Sequence, residues 1–364
     1  MILETSIIRN TVKLKERILK CAMIVAGIMS LGALTACDGV IYDYEGDCAP
    51  YYQVRFKYVR NLKYADAFAN EVNDVTLYVV DTETGKVVWQ KNESGEALAS
   101  GDYVMDVDVS PGTYTLVAWC GEGHRTHFSV GESDNLTGLQ CTLNQRVPHK
   151  EGYEDFDGSG VDTDLNDLYH AKLEAQEFPD TQGVHVFEMD LTKDTNDLHI
   201  VLQQMSGEPV DGSFTFTLVE DNGKMDWDNS LLPDEQLTYY AHTVRSGIAG
   251  VEVPDYKGDG AGNSRATITQ VRTVVADLKV NRLMADRKAM VKIYNDADHS
   301  LVASIPLVDY ALLVKGNDAQ LSDQDYLDYR DDYSMVLFLD PEYRWISTEI
   351  YINSWKIVNQ DAEI

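Results

Sequence analysis

The run YYQVRFKYV (51–59) alternates strictly: Tyr52, Val54, Phe56 and Tyr58 take one phase, Gln53, Arg55 and Lys57 the other. A chain that repeats this pattern is confined to strands with one buried face, because successive side chains on a strand point to opposite sides. The pattern recurs in VTLYVV (75–80), YVMDVDV (103–109), TYTLVAW (113–119) and VHVFEMDL (184–191). Thr84-Gly85, Ser100-Gly101, Ser110-Pro111-Gly112 and the glycines at 121 and 123 punctuate it as turns. Many short strands separated this way indicate a mostly β fold of sandwich type with Greek-key connections.

A second strand series follows LTKDTN (191–196): LHIVLQQM (198–205), GSFTFTLVE (212–220), TVVADLKV (273–280), MVKIYN (290–295) and SIPLVDYALLV (304–314). The chain closes with SMVLFLD (334–340) and WISTEIYINSWKIV (345–358), two strands around a turn at Pro341. Residues 64–71 have a short helical look, and 151–167 reads as an acidic loop. SDQDYLDYRDDY opens a clearer helix, with Ser322 placed to cap and Asp325 in the capping-box position. Since each series carries its own apolar face, the reading is two sandwich domains, 51–192 and 193–364.

Ahead of them, Arg9, Lys13, Lys15, Arg17 and Lys20 precede an apolar run at 21–36. A bilayer span needs roughly 20 apolar residues, and this run is shorter and broken by Gly27, Ser30, Gly32 and Thr35, so 1–36 reads as an export signal. Leu34-Thr35-Ala36-Cys37 looks like a bacterial lipobox, which makes Cys37 the lipidation site; the alternative is an ordinary signal peptide with a chance cysteine. A lipidated residue must be followed by a wettable tether, and 37–50 carries Asp38, Asp43, Glu45 and Asp47 between glycines.

The whole chain has a net charge of −30, and removing the basic leader makes it more negative. Such a surface repels phosphate backbones and argues against nucleic-acid binding. Cys48, Cys120 and Cys141 remain after Cys37, with no zinc spacing among them. Cys120 and Cys141 both fall in the apolar phase of their strands, which leaves two readings, a disulfide between them or two buried thiols.

No nucleophile elbow, zincin motif or phosphate loop is present. GDGAGN (258–263) lacks the strand and helix that aim a phosphate loop, and reads as a plain loop. His124 and His127 in GHRTH fall on opposite faces of a strand. In DFDGSGVDTDLND, Asp155, Asp157, Ser159 and Gly160 match the first half of a calcium loop, but Asp162 and Asn166 break the second half. Acids are too abundant for any pair to mark a glycosidase. The expectation is a protein without catalytic residues, cofactor or metal.

The blocks VRFKYVRNLKYADAFANEVNDVTLYVVD (54–81), PGTYTLVAWCG (111–121), LTKDTNDLHIVLQQMSG (191–207), DWDNSLLPDEQLTYYA (226–241), SIPLVDYALLVKGN (304–317), SDQDYLDYRDDYSMVLFLD (322–340) and RWISTEIYINSWKIV (344–358) resemble the FimB/Mfa2 family of fimbrial anchor and accessory lipoproteins of Bacteroidales. The resemblance implies two tandem transthyretin-like β-sandwiches, lipid-anchored in the outer membrane and probing the cell's exterior. It implies a role in holding a fimbria, setting its length and supporting adhesion. Its partners are then shaft subunits bound by β-strand pairing. On that reading the first strand, 51–59, stays in its own sheet, and a C-terminal strand at 349–358 with Ile350, Ile352 and Trp355 either engages the partner or is an internal strand. The other function class is a surface glycan-binding lipoprotein, suggested by 21 tyrosines and 5 tryptophans.

Overall fold

The computed structural model describes residues 49–63, 65–121, 127–150, 153, 158–204, 206, 208–253, 267–352 and 355–358. Cys37, Cys48 and the tether up to residue 48 therefore lie outside the described residues, as do His124, Asp155, Asp157 and the GDGAGN segment.

The first half supplies β1 (Pro50–Lys57), β2 (Asp74–Asp81), β3 (Val87–Ser94), β4 (Met105–Val107), β5 (Gly112–Cys120), β6 (Phe128–Val130), β7 (Cys141–Leu143), β8 (Val147–Pro148), β9 (Ser159–Val161), β10 (Tyr169–Phe178), β11 (Gly183–Asp190) and β12 (Thr192–Lys193). The second supplies β13 (Asn196–Gln204), β14 (Phe214–Glu220), β15 (Lys224–Met225), β16 (Leu237–Tyr240), β17 (Thr243–Val253), β18 (Thr267–Val280), β19 (Met290–Asn295), β20 (Leu301–Pro306), β21 (Asp332–Leu339), β22 (Trp345–Ile352) and β23 (Trp355–Val358). The helices are α1 (Phe68–Glu71), α2 (Leu307–Leu313) and α3 (Asp323–Tyr329). The protein is mostly β.

One core lies between the sheet β11-β1-β4 and the sheet β12-β10-β5-β2-β3. Val54, Phe56, Leu77, Leu116, Cys120 and Met189 fill it. β1 is the middle strand of its sheet, parallel to β11 and antiparallel to β4, so the first strand stays at home. The larger core lies between β17-β18-β13-β21-β22-β23 and β20-β19-β14-β16-β9-β8. Leu198, Ile200 and Leu202 of β13 face it at alternate positions. The chain does not pass from one core to the other at a single point. Val161, Leu165 and Leu168 already belong to the larger core, and β9 pairs with β16.

The outer face of the five-stranded sheet is covered as well. Tyr78, Val80, Val117 and Trp119 point away from the first core and meet Phe128, Leu139, Cys141 and Leu143 around the small sheet β15-β7-β6. The two cysteines of this region belong to different cores. Cys120 points into the first core and Cys141 into the second, from opposite sides of β5. Both cysteines are buried.

Three expectations are corrected. Residues 304–314 are not one strand: β20 ends at Pro306 and α2 begins. The buried positions Leu307, Val308, Ala311 and Val314 have helical spacing, which outweighs the β-branched composition. Residues 345–358 are not one strand but the hairpin β22–β23, with Glu349 opposite Val358 and Ile352 opposite Trp355. Within 151–167, Ser159–Val161 is a strand, not loop. The α3 signal holds: Ser322 accepts from the backbone N–H of Asp325 at 3.0 Å.

The LTKDTN segment, polar in composition, is buried from Thr192 to Asn196. The Leu191 N–H donates to the Lys57 carbonyl, Asp194 N–H to the Leu168 carbonyl and Asp197 N–H to the Asp331 carbonyl, at 2.7, 2.8 and 2.7 Å. Two charge clusters flank it. Lys193 Nζ lies 3.1 Å from Asp331, 3.3 Å from Asp167 and 3.5 Å from Asp197, with Lys279 Nζ 2.7 Å from Asp167. Arg282 pairs with Asp328 through Nη2 at 2.8 Å and lies 3.6 Å from Asp194, while Asn229 Nδ2 donates to Asp194 at 2.8 Å.

Candidate functional site

A protein that holds another by strand pairing needs a sheet edge with unused backbone N–H and C=O groups, and such edges are normally guarded by charge, proline or bulges. Among the described residues β11 is an edge strand, bonded within its sheet only to β1. Its eight residues, GVHVFEMD, contain neither proline nor lysine. Val184 and Val186 stand outward at 60 % and 45 % exposure, beside Tyr51 of β1 at 48 %. Tyr51 is in register with Val184 and Gln53 with Val186, so the three apolar side chains share one outer face. Charged groups bound the patch toward the far end of the strand, where Lys57 pairs with Glu188 at 2.6 Å. β11 runs parallel to β1, and Gly183 lies opposite Pro50, where the described part of the chain begins.

The sequence reading pointed to the C-terminal strand instead. Ile352 is fully buried in the larger core and pairs with Met335 as well as Trp355. Ile350 pairs with Leu337 and Ile357. β22 is therefore an inner strand, while β23, which carries Trp355, has one open edge among the described residues. The residues are brought together, as a hairpin within their own sheet.

The remaining candidates are scattered. His127 Nδ1 accepts from the Asn166 N–H at 2.8 Å, and burial lowers its pKa, so the ring is a structural acceptor. Ser159 Oγ donates to Glu235 at 2.8 Å from within β9, and Gly160 sits in the same strand. Among the described residues no group of three or more His, Cys, Asp or Glu converges as a metal set would. His170, not anticipated from sequence, is buried with its pKa lowered to about 3 by desolvation. Its Nε2–H donates to the Trp227 carbonyl at 2.8 Å, which fixes the neutral tautomer beside Trp119.

A cavity of about 470 Å³ opens between the 59–66 segment and the α3 region, lined among others by Leu62, Asp318, Gln320, Tyr326, Tyr329 and Arg330. Its first wall is braced from within: Asn61 Nδ2 donates to the Tyr58 and Ala65 carbonyls, and Asp66 Oδ1 accepts from the N–H groups of Tyr58 and Phe68.

Known proteins match this architecture. The family model described as fimbrillin-A associated anchor proteins Mfa1 and Mfa2 matches residues 44–361. A candidate adhesin from Bacteroides thetaiotaomicron is 30 % identical, covering 86 % of this chain and 99 % of its own, with a TM-score of 0.70. A candidate polysaccharide-binding protein from the same organism is 26 % identical over 85 % and 98 %, with a TM-score of 0.67. The fimbrial anchor protein Mfa2 from Porphyromonas gingivalis, 16 % identical over 86 % and 100 % at a TM-score of 0.59, shares the fold. A comparison with curated proteins returned no match. The chain belongs to the Mfa2 family of fimbrial anchor proteins, a structural family and not an enzymatic one. Among the described residues no helix is long and apolar enough to cross a membrane.

Proposed function

We propose that this protein is a lipid-anchored fimbrial subunit of the outer membrane, fixed through Cys37, that holds the base of a fimbria, influences its length and thereby contributes to adhesion. The observation that carries this reading is a family match starting at residue 44, within the acidic tether that follows the lipobox. In this scheme the sandwiches 51–192 and 193–364 stand outside the bilayer, with 159–168 of the first lending side chains to the core of the second. A shaft subunit adds a strand along β11. Backbone bonds supply affinity there, and Tyr51, Val184 and Val186 supply the apolar contact. No catalytic step is required.

Replacing Cys37 with serine tests the anchor. The expected outcome is assembled fibres in the culture medium with the subunit still at their ends; cells that keep their fibres overturn it. The pairing edge is tested by Val184→Lys with Val186→Lys. Both sites are exposed, so stability should stay within about 0.5 kcal/mol, while capture of shaft subunits from solubilised membranes is lost. Undiminished capture removes β11 from the scheme.

A further inference from the structure

Arg330 stands in a run of acids, DYRDD (328–332), yet among the described residues no carboxylate pairs with it. Each neighbour is engaged elsewhere: Asp328 with Arg282 at 2.8 Å, Asp331 with Lys193 at 3.1 Å, and Asp332 toward His199 at 3.9 Å. What orients the guanidinium is the ring of Tyr326, whose centroid is 5.3 Å from Cζ. Tyr326 itself is 1 % exposed. A half-buried guanidinium without a counter-ion, in a protein of net charge −30, is a local reversal of the protein's own field.

The cavity around it is preformed. The 59–66 wall is hydrogen-bonded to itself as described, and the opposite wall is fixed by the Ser322 cap and by Lys315, which donates to the Leu321 carbonyl and pairs with Asp323 at 2.9 Å. At about 470 Å³ the cavity falls within the range of small-ligand sites, roughly 300–1,000 Å³. It offers three kinds of surface. Arg330 presents planar donors that suit a carboxylate. Asp318 and Gln320 present acceptors at the rim. Leu62, 37 % exposed, and the ring of Tyr329 present apolar faces. Asp66 also faces the space, but its Oδ1 already receives two backbone N–H groups; Arg60 and Asp325, 3.9 Å apart, face each other nearby.

We propose that this cavity binds a sugar bearing a carboxylate, of the hexuronic acid class. Such a ligand combines an anionic group for Arg330, hydroxyl donors for Asp318 and Gln320, and a pyranose face for Leu62 and Tyr329. A neutral sugar leaves the guanidinium unmatched. An acidic peptide brings its charge without the hydroxyl donors and meets Asp318 as a like charge. The site lies apart from the β11 edge and is independent of fibre capture.

The test is titration of the full chain in detergent micelles with sodium D-glucuronate, read by calorimetry and by saturation-transfer NMR. D-glucose, acetate and an Asp-Asp dipeptide serve as comparators. The expected result is saturable glucuronate binding in the millimolar range, with each comparator weaker by about tenfold or more. Arg330→Gln should reduce glucuronate binding about tenfold while leaving the melting temperature in place. Leu62→Glu, at an exposed position of the other wall, should do the same by repulsion, and decides the matter if the arginine variant is unstable. Absence of saturation at roughly 50 mM, equal binding of any comparator, or full binding by Leu62→Glu overturns the proposal.

Discussion

Arg282 and Lys193 each bring a positive charge into the seam between the two cores, but Asp194 beside the first and Asp167 beside the second are shifted in opposite directions. Asp194, fully buried, has Arg282 at 3.6 Å on one side only, because that guanidinium is committed to Asp328. Burial is the largest influence on its carboxyl and, with Asp328 adding to it, outweighs Arg282 and the Asn229 hydrogen bond, so its pKa is raised to about 7. Burial also pushes up the Asp167 carboxyl, yet there Lys193 and Lys279 together prevail, and its pKa is lowered. The difference is stoichiometry and water. One arginine serves two dry carboxylates, whereas two lysines share three acids that keep partial exposure. A carboxylate keeps its charge where a cation committed to it and residual water outweigh desolvation, and is driven toward the neutral form where it is dry and its cation is committed elsewhere.

The largest expected effect comes from breaking the dry cluster. Arg282→Met leaves Asp328 and Asp194 without a cation and the Asn229 carbonyl without its donor. Removing one partner of a buried ion pair costs about 3–5 kcal/mol, and urea unfolding at pH 7 should show a loss of that size. Lys193→Met should cost less, about 1–2 kcal/mol, because Lys279 remains 2.7 Å from Asp167. Equal losses for the two variants would mean that the clusters are alike and the contrast fails.

Little of this seam is legible in the sequence, though much around it is. The strand phases at 52–58, 75–80 and 198–202 are visible because an alternating side chain reports burial residue by residue. LTKDTN marks only the point where the second strand series starts, because its polar composition carries no burial signal; the partners at 167, 277–282 and 328–331, far away in sequence, make it an interior segment. β10 escapes for a different reason. YHAKLEAQEF is built from good helix formers, and a bulge at Ala175, with φ +48°, breaks its alternation. α2 was concealed by its β-branched and apolar neighbours. The VHVFEMDL strand is plain in the sequence, but its standing as an open edge depends on β1 choosing it as a parallel partner. Arg330 shows the limit most sharply: Asp328, Asp331 and Asp332 stand within two residues of it, and nothing local says that each is engaged elsewhere.

The smallest effect sharpens the comparison most, because the two acids have opposite signs of pH dependence. Asp194 has a folded pKa raised above the unfolded value of 3.8, so the native state binds its proton more tightly than the unfolded chain does. Its favourable contribution is full below about pH 4 and is lost as pH rises through 7. Asp167, lowered in the native state, works the other way: its contribution is present above the ordinary carboxylate range and is lost as pH falls through the folded value. Asp194→Asn keeps the size of the side chain, removes the titration and leaves Arg282 to Asp328. Relative to the parent, the variant should therefore gain stability between pH 5 and pH 8, while Asp167→Asn should lose stability on going from pH 3 to pH 6. Urea midpoints taken at steps across that range separate the two. A difference between parent and Asp194→Asn that does not change with pH would show that Asp194 stays ionised in its dry site, and that Arg282 holds both acids after all.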